Sequence, residues 1–260
     1  MSVKKVISSV IILLAFLQTY GQGYIPDDTR TLFIKEFSGG GFIHNNGWGL
    51  IARYTKYSIK DVKVNYEFNF ARLKHPREVK IVNPIVQNAK SYVFARLNTF
   101  YVVRIGVGSD KLLFDKSFKD GVEVRGNFLV GHTAGLAKPN YIQYWAPDKN
   151  PLFDQPDVVK YNPGIHNPFD ILGSAGFSNG LNETTYHPGV FVKAGLHFDW
   201  SKSDERIKAL EVGTTMDLFA DKVPIMADEI CNNAGNCIST NANKQLFLTF
   251  YANILLGKKW

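Results

Sequence analysis

Gln245-Leu246-Phe247-Leu248-Thr249-Phe250-Tyr251-Ala252-Asn253-Ile254-Leu255-Leu256-Gly257 alternates along its length, and Trp260 follows close behind. One face reads Leu246, Leu248, Phe250, Ala252, Ile254 and Leu256, all apolar. The other carries Gln245, Thr249, Tyr251 and Asn253 beside Phe247. A period of two with one greasy and one wetter side is the signature of a β-strand. The run is also far longer than the five or six residues usual in soluble strands.

Seven more segments share the pattern. They lie near Phe33–Ile43, Leu50–Tyr57, Val62–Leu73, Tyr92–Gly108, from Val122 onward, Val190–Asp199 and Leu210–Leu218. In the third, Val62, Val64, Tyr66, Phe68 and Phe70 oppose Lys63, Asn65, Glu67 and Asn69. Gly39-Gly40-Gly41 in the first permits a sharp bend or a close strand approach. Several segments reach ten residues, the length a tilted strand needs to cross a bilayer.

The start of the chain points to export. Lys4 and Lys5 precede the mostly apolar run Val6–Leu17, which is too short for a membrane helix. Residues 1–21 are expected to be a signal peptide, with Thr19 and Gly21 at the −3 and −1 positions, and residues 22–260 one barrel domain. No later stretch holds eighteen consecutive apolar residues, so a membrane-bound mature chain requires a barrel. The net charge of +7 comes without a dense Lys/Arg run, and nucleic acid is not expected as a partner.

A soluble β-sandwich would also alternate. Against it stand strand length, the export signal and connection lengths. Of the even-numbered connections, Ser58–Asp61 and Ser201–Arg206 are tight, and Gly108–Gly121 is of medium length. Odd-numbered ones, Lys74–Lys90, Ala137–Pro188 and Asp221–Lys244, are long. Only the first, at Asn45-Asn46-Gly47, is a short odd turn. The expected fold is therefore all-β, an antiparallel transmembrane barrel. Eight strands fit best; ten or twelve stay open if Leu97-Asn98-Thr99 hides a turn or the fifth connection hides a hairpin.

The polar faces carry charges of both signs: Lys63, Glu67, Arg104, Glu123, Arg125, Lys193, Glu211 and Asp217. The interior of a narrow barrel can hold these as pairs. Trp200 and Trp260 fall at one expected rim, Trp48 and Trp145 at the other. Cys231 and Cys237, in a polar stretch of an exported chain, suggest a loop disulfide.

Chemistry is sparse. No G-x-S-x-G elbow, phosphate loop or H-E-x-x-H motif occurs. His132 with Ser174 or Ser178 is the best candidate for a nucleophile pair, though a solvent-satisfied histidine reads as well. The Asn162–Asp170 stretch around His166 reads as a ligand-binding loop or a folded cap. Catalytic, metal and cofactor sites are not expected.

A strand ending in an aromatic residue resembles the C-terminal insertion signal of outer-membrane barrels, with Phe250 and Trp260 as its aromatic positions. The stretches Gly121-Val122-Glu123-Val124-Arg125, Gly135-Leu136-Ala137-Lys138-Pro139, Ile207–Gly213, Val223–Ala227 and Gly257-Lys258-Lys259-Trp260 resemble small outer-membrane barrels of the Bacteroidetes type. That resemblance implies location and fold, but no activity. It leaves a structural or binding role through the outer loops, a small-solute channel, or a lipid-modifying enzyme. The expected partners are outer-membrane lipid, the barrel-assembly machinery, and a protein or surface ligand at the loops.

Overall fold

The computed structural model describes residues 35–260 apart from 60–61, 86–88, 117–120, 147–154, 203–204, 232–236 and 240–242. The signal peptide expected at residues 1–21 lies outside the described residues, as does the start of the expected barrel domain.

Eight long strands close into a ring: β1 (Lys35–His44), β2 (Gly47–Ile59), β3 (Val62–Leu73), β4 (Asn98–Phe114), β5 (Glu123–Pro139), β6 (Thr185–Asp199), β7 (Arg206–Val223) and β8 (Lys244–Lys259). Each pairs antiparallel with its sequence neighbours, and β1 pairs with β8, which leaves no open edge. Tracing partners around the ring from Arg72 through Trp48, Ile43, Ala252, Val212, Leu196, Gly126 and Lys111 returns to β3 at Val62. With about 3.3 Å per residue and roughly 4.7 Å between strands, that offset tilts the strands by roughly 40° from the barrel axis.

The alternation sorts side chains to two sides of the wall. Along β3, Lys63, Asn65, Glu67 and Asn69 are buried while Tyr66 and Phe68 are exposed. The glycines at 39–41 stay within β1, paired on both sides, so they make a close approach rather than a turn. A Cβ on Gly40 would lie 1.8 Å from the Ile254 carbonyl oxygen.

The ends of the barrel differ. At one end β2–β3, β4–β5 and β6–β7 are joined by short connections, and Lys35 and Trp260 exchange backbone hydrogen bonds of 3.0 and 2.9 Å. At the other end the long connections build a cap. Lys80–Ile81 pairs with Tyr92–Val93. Ile171–Ser174, Tyr141–Tyr144 and Asp157–Lys160 form a three-stranded sheet, and Glu229–Cys231 pairs with Cys237–Ser239. Strands hidden in the long connections thus belong to the cap, and the ring keeps eight.

β4 differs from its expected span of Tyr92–Gly108. Ala95 adopts a left-handed backbone (φ 58°), and the N–H groups of Leu97 and Asn98 both donate to the Ile225 carbonyl. The ring strand therefore starts only at Asn98. It also runs past Gly108, because Asp110 turns inward to accept a hydrogen bond from Asn127 at 2.5 Å.

Candidate functional site

The barrel interior holds ion pairs at three levels. At the centre, Arg53 and Lys193 face Glu67 and Glu211. Arg53 Nε donates to Glu67 at 2.9 Å, and its Nη2 lies 2.6 Å from Glu211. Lys193 Nζ reaches Glu67 at 2.6 Å and Glu211 at 2.9 Å. Toward the cap, Arg104 grips Asp217 through two 2.7 Å hydrogen bonds. Toward the termini, Lys63 meets Glu36 at 2.9 Å and Glu123 at 3.9 Å, and Arg125 binds Glu123. Lys259 adds a contact of 3.2 Å to Asp199.

These pairs tie strands that are not neighbours: Arg104 of β4 to Asp217 of β7, and Lys193 of β6 to Glu67 of β3. The geometry also adds partners that sequence reading left out: Arg53, Glu36, Asp110, Asp199 and Lys259. The signal for Arg53 was its place two residues from Ile51 and two from Thr55, which put all three on one face of β2, with Glu67 its direct cross-strand partner. The cavity inside this network, lined in part by Glu36, Arg53, Lys63 and Asp199, measures about 10 Å³, close to the volume of one water probe.

Above the charges sits an apolar cork. Leu73, Phe100, Val102, Ala137 and Phe219 from the wall pack against Ala95, Ile225, Met226 and Ala227 from the cap. The Phe100 ring meets Phe219 edge-on at 5.3 Å. The cap backbone is fastened there: Ala227 N–H donates to Ala95 O at 2.8 Å, and Asn243 Oδ1 accepts from Ile225 and Met226.

Outside, the wall is an apolar belt. Phe37, Leu50, Phe68, Ile105, Phe128, Val190, Leu218, Leu248, Ile254 and Leu256 are each at least 47% exposed. On β3 the outward residues Val62 to Phe70 extend roughly 20 Å along the axis. Beyond the belt at the terminus end lies a ring of outward cations: Lys35, Lys56, Lys111, Arg206, Lys208 and Lys258. Trp200 and Trp260, 42% and 52% exposed, flank it, and Trp48 stands at the opposite rim. Trp145, expected at that rim, instead sits in the cap, its N–H bonded to Asp170 O at 2.9 Å.

On the cap side of the belt a cavity of about 210 Å³ lies between the outward face of β3–β5 and the cap sheet. Arg72, Arg96, Lys138, Tyr92, Tyr101 and Tyr161 line it. Arg96 pairs with Glu78 at 3.1 Å, and burial together with the nearby Arg72 charge pulls its pKa down against that pairing. Burial pushes the Tyr92 hydroxyl up to about 12.

The other sequence candidates are scattered. His132 faces outward, with Nε2 2.9 Å from the Tyr186 hydroxyl, while Ser174 ends a cap strand that lines the cavity. His166 closes the Asn162 turn, 4.8 Å from the Tyr144 ring. Cys231 and Cys237 are opposite each other in backbone register. Phe250 is 57% exposed on the belt. Among the described residues, no group of three or more His, Cys, Asp and Glu is placed to hold a metal ion.

No protein-family model and no curated protein matches this sequence. Among solved structures, the attachment invasion locus protein Ail of Yersinia pestis, in complex with the heparin analogue sucrose octasulfate, is similar at 11% identity and a TM-score of 0.35, over 87% of this chain and 95% of that one. Neisserial surface protein A is similar at 9% identity and a TM-score of 0.36, over 88% and 96%. Likenesses this distant bear on neither membership nor ligand.

Proposed function

We propose that this chain is an outer-membrane barrel that conducts nothing and works through its cap, holding a protein or surface ligand there. The observation that carries this reading is the double closure of the lumen. Ion pairs fill its interior, where the cavity lined by Glu36, Arg53, Lys63 and Asp199 holds about 10 Å³, and the apolar cork shuts its mouth. A closed lumen leaves the folded cap as the surface with room for specific contact.

The exterior supports the membrane placement. Soluble monomers rarely expose contiguous apolar patches above a few hundred Å², and here the patch circles the molecule. The cation ring at the terminus end matches the phosphates of one leaflet, and rim tryptophans suit the interface. Residues 1–21 then act as the signal peptide. Phe250 and Trp260 serve the barrel-assembly machinery as an insertion signal, and Cys231–Cys237 forms a cap disulfide. The likeness to Bacteroidetes-type barrels rests on the sequence stretches alone.

Planar-bilayer recording of the refolded chain tests the closed lumen: the expected trace is silent, and a steady open conductance sinks it in favour of a solute channel. Cell fractionation tests the placement, with recovery in the outer membrane and a heat-dependent gel shift expected.

A further inference from the structure

The cavity beside the cap gathers positive charge that the fold leaves unanswered. Arg72 extends from the outward face of β3 and has no carboxylate within ion-pair distance among the described residues. Lys138, 6% exposed, spends its ammonium on the carbonyls of Pro139 and Asn179 and on the Phe177 ring. Of the three, only Arg96 has a carboxylate partner among the described residues, Glu78. Glu183, beside the lining residue Tyr141, is held by Lys160 at 2.9 Å and by the Tyr141 hydroxyl.

On residues that line this cavity, three buried polar atoms have no hydrogen-bond partner among the described residues: Arg72 Nε, Arg96 Nε and the hydroxyl of Tyr92, a residue only 4% exposed. Buried donors left unpaired are costly. Three such groups on the residues around one cavity point to a ligand that draws on them together. Guanidinium and ammonium groups beside a tyrosine hydroxyl suit phosphate, whose oxygens accept from several directions.

The position of the cavity narrows the source. Arg72 pairs in register with Tyr101, and Thr99 with Lys138. Directly below, the Phe70 ring stacks on Tyr101 at 5.7 Å, and the belt continues through Phe68 and Ile105. A phosphate in this cavity would therefore have acyl chains running straight down the apolar wall.

We propose that the cavity lined by Arg72, Arg96, Lys138 and Tyr92 binds the phosphate headgroup of an outer-leaflet lipid. This rests on the belt being lipid-facing. With the headgroup bound, the cap is pinned to the bilayer surface.

The full chain in detergent, titrated with phosphatidic acid, diacylglycerol and glycerol 3-phosphate, provides the test by native mass spectrometry. Phosphatidic acid is expected to bind at least tenfold tighter than diacylglycerol or glycerol 3-phosphate. R72Q/K138Q is expected to lose that tenfold preference. The control K222Q/K244Q, which removes two exposed rim cations elsewhere, is expected to keep it. Equal binding of glycerol 3-phosphate, lost in R72Q/K138Q, overturns the lipid source in favour of a soluble phosphate. Unchanged binding in R72Q/K138Q, or equal loss in the control, overturns the cavity as the site. The heat-dependent gel shift is read on all three proteins: its absence from the unaltered chain removes the membrane reading itself, and its loss from R72Q/K138Q alone overturns the cavity as a binding rather than a folding feature.

Discussion

The lumen is closed twice by opposite chemistries. At its centre, Arg53, Lys193, Glu67 and Glu211 cross-link the wall to itself. At the cap end, Phe100, Phe219 and Phe247 join the wall to the connections. The charges are geometric: each carboxylate accepts from two cations, so removing one group strands the rest. The cork is volumetric, and a lost ring leaves a gap that neighbours partly fill. One plug should therefore fail as a unit and the other by degrees.

The sharpest way to break this contrast is Glu211→Ala. It leaves Arg53 and Lys193 with a single shared carboxylate in a buried site and deprives Tyr251 and Asn253 of an acceptor. Stranding a buried charge costs about 3–5 kcal/mol, so urea unfolding of the folded barrel in vesicles should shift by that amount. A loss under 1 kcal/mol would mean that water already solvates the centre.

Phe100→Ala tests the cork. Phe100 is fully buried, and such a truncation costs about 3–5 kcal/mol, at the low end if loops can collapse inward. Limited proteolysis should then cut the cap earlier while the ring keeps its gel shift. Simultaneous loss of both would show that cap and ring are one cooperative unit.

How these regions could be read from sequence differs for a physical reason. Strand periodicity carries which face a residue takes, so the side of the wall taken by Lys63, Glu67, Arg104 and Asp217 was legible one strand at a time. Pairing is not local. Arg104 and Asp217 are 113 residues apart in sequence and meet because of the register around the ring. Asp199, Lys259 and Glu36 sit at strand ends, where alternation gives way to apparent turns. The exterior cation ring escaped for the same reason: it draws its members from β1, β2, β4, β7 and β8, so no Lys/Arg run marks it. The cap cavity was invisible, since Arg72 ends an apolar face, Arg96 follows a left-handed alanine, and Lys138 lies near the end of β5. The pairing of β3, β4 and β5, with the cap folded against their outward face, brings them together.

The disulfide proposed for the cap offers a smaller test. Cys231 and Cys237 are opposed in register, and a bond closing so short a loop is worth about 2 kcal/mol by chain entropy. Intact mass before and after reduction should differ by two hydrogens. Cys231→Ser with Cys237→Ser should speed proteolysis of that hairpin and leave the urea midpoint of the ring unchanged. A shifted midpoint would place the hairpin within the cooperative core.

The smallest effect is expected where both members of an ion pair are replaced together. Arg104 and Asp217 form a bidentate pair, each member nearly unexposed. Removing Asp217 alone, as Asp217→Leu, buries an unmatched guanidinium and should cost about 3–5 kcal/mol. Arg104→Leu with Asp217→Leu removes both desolvation penalties and extends the cork, whose nearest wall residue Val102 is two positions along β4. A buried pair exchanged for apolar groups is often neutral or stabilising, so the double variant should lie within about 1 kcal/mol of the parent in urea. If it is as unstable as the single variant, the pair sets strand register between β4 and β7, and the charged plug is then a specificity device as well as a seal.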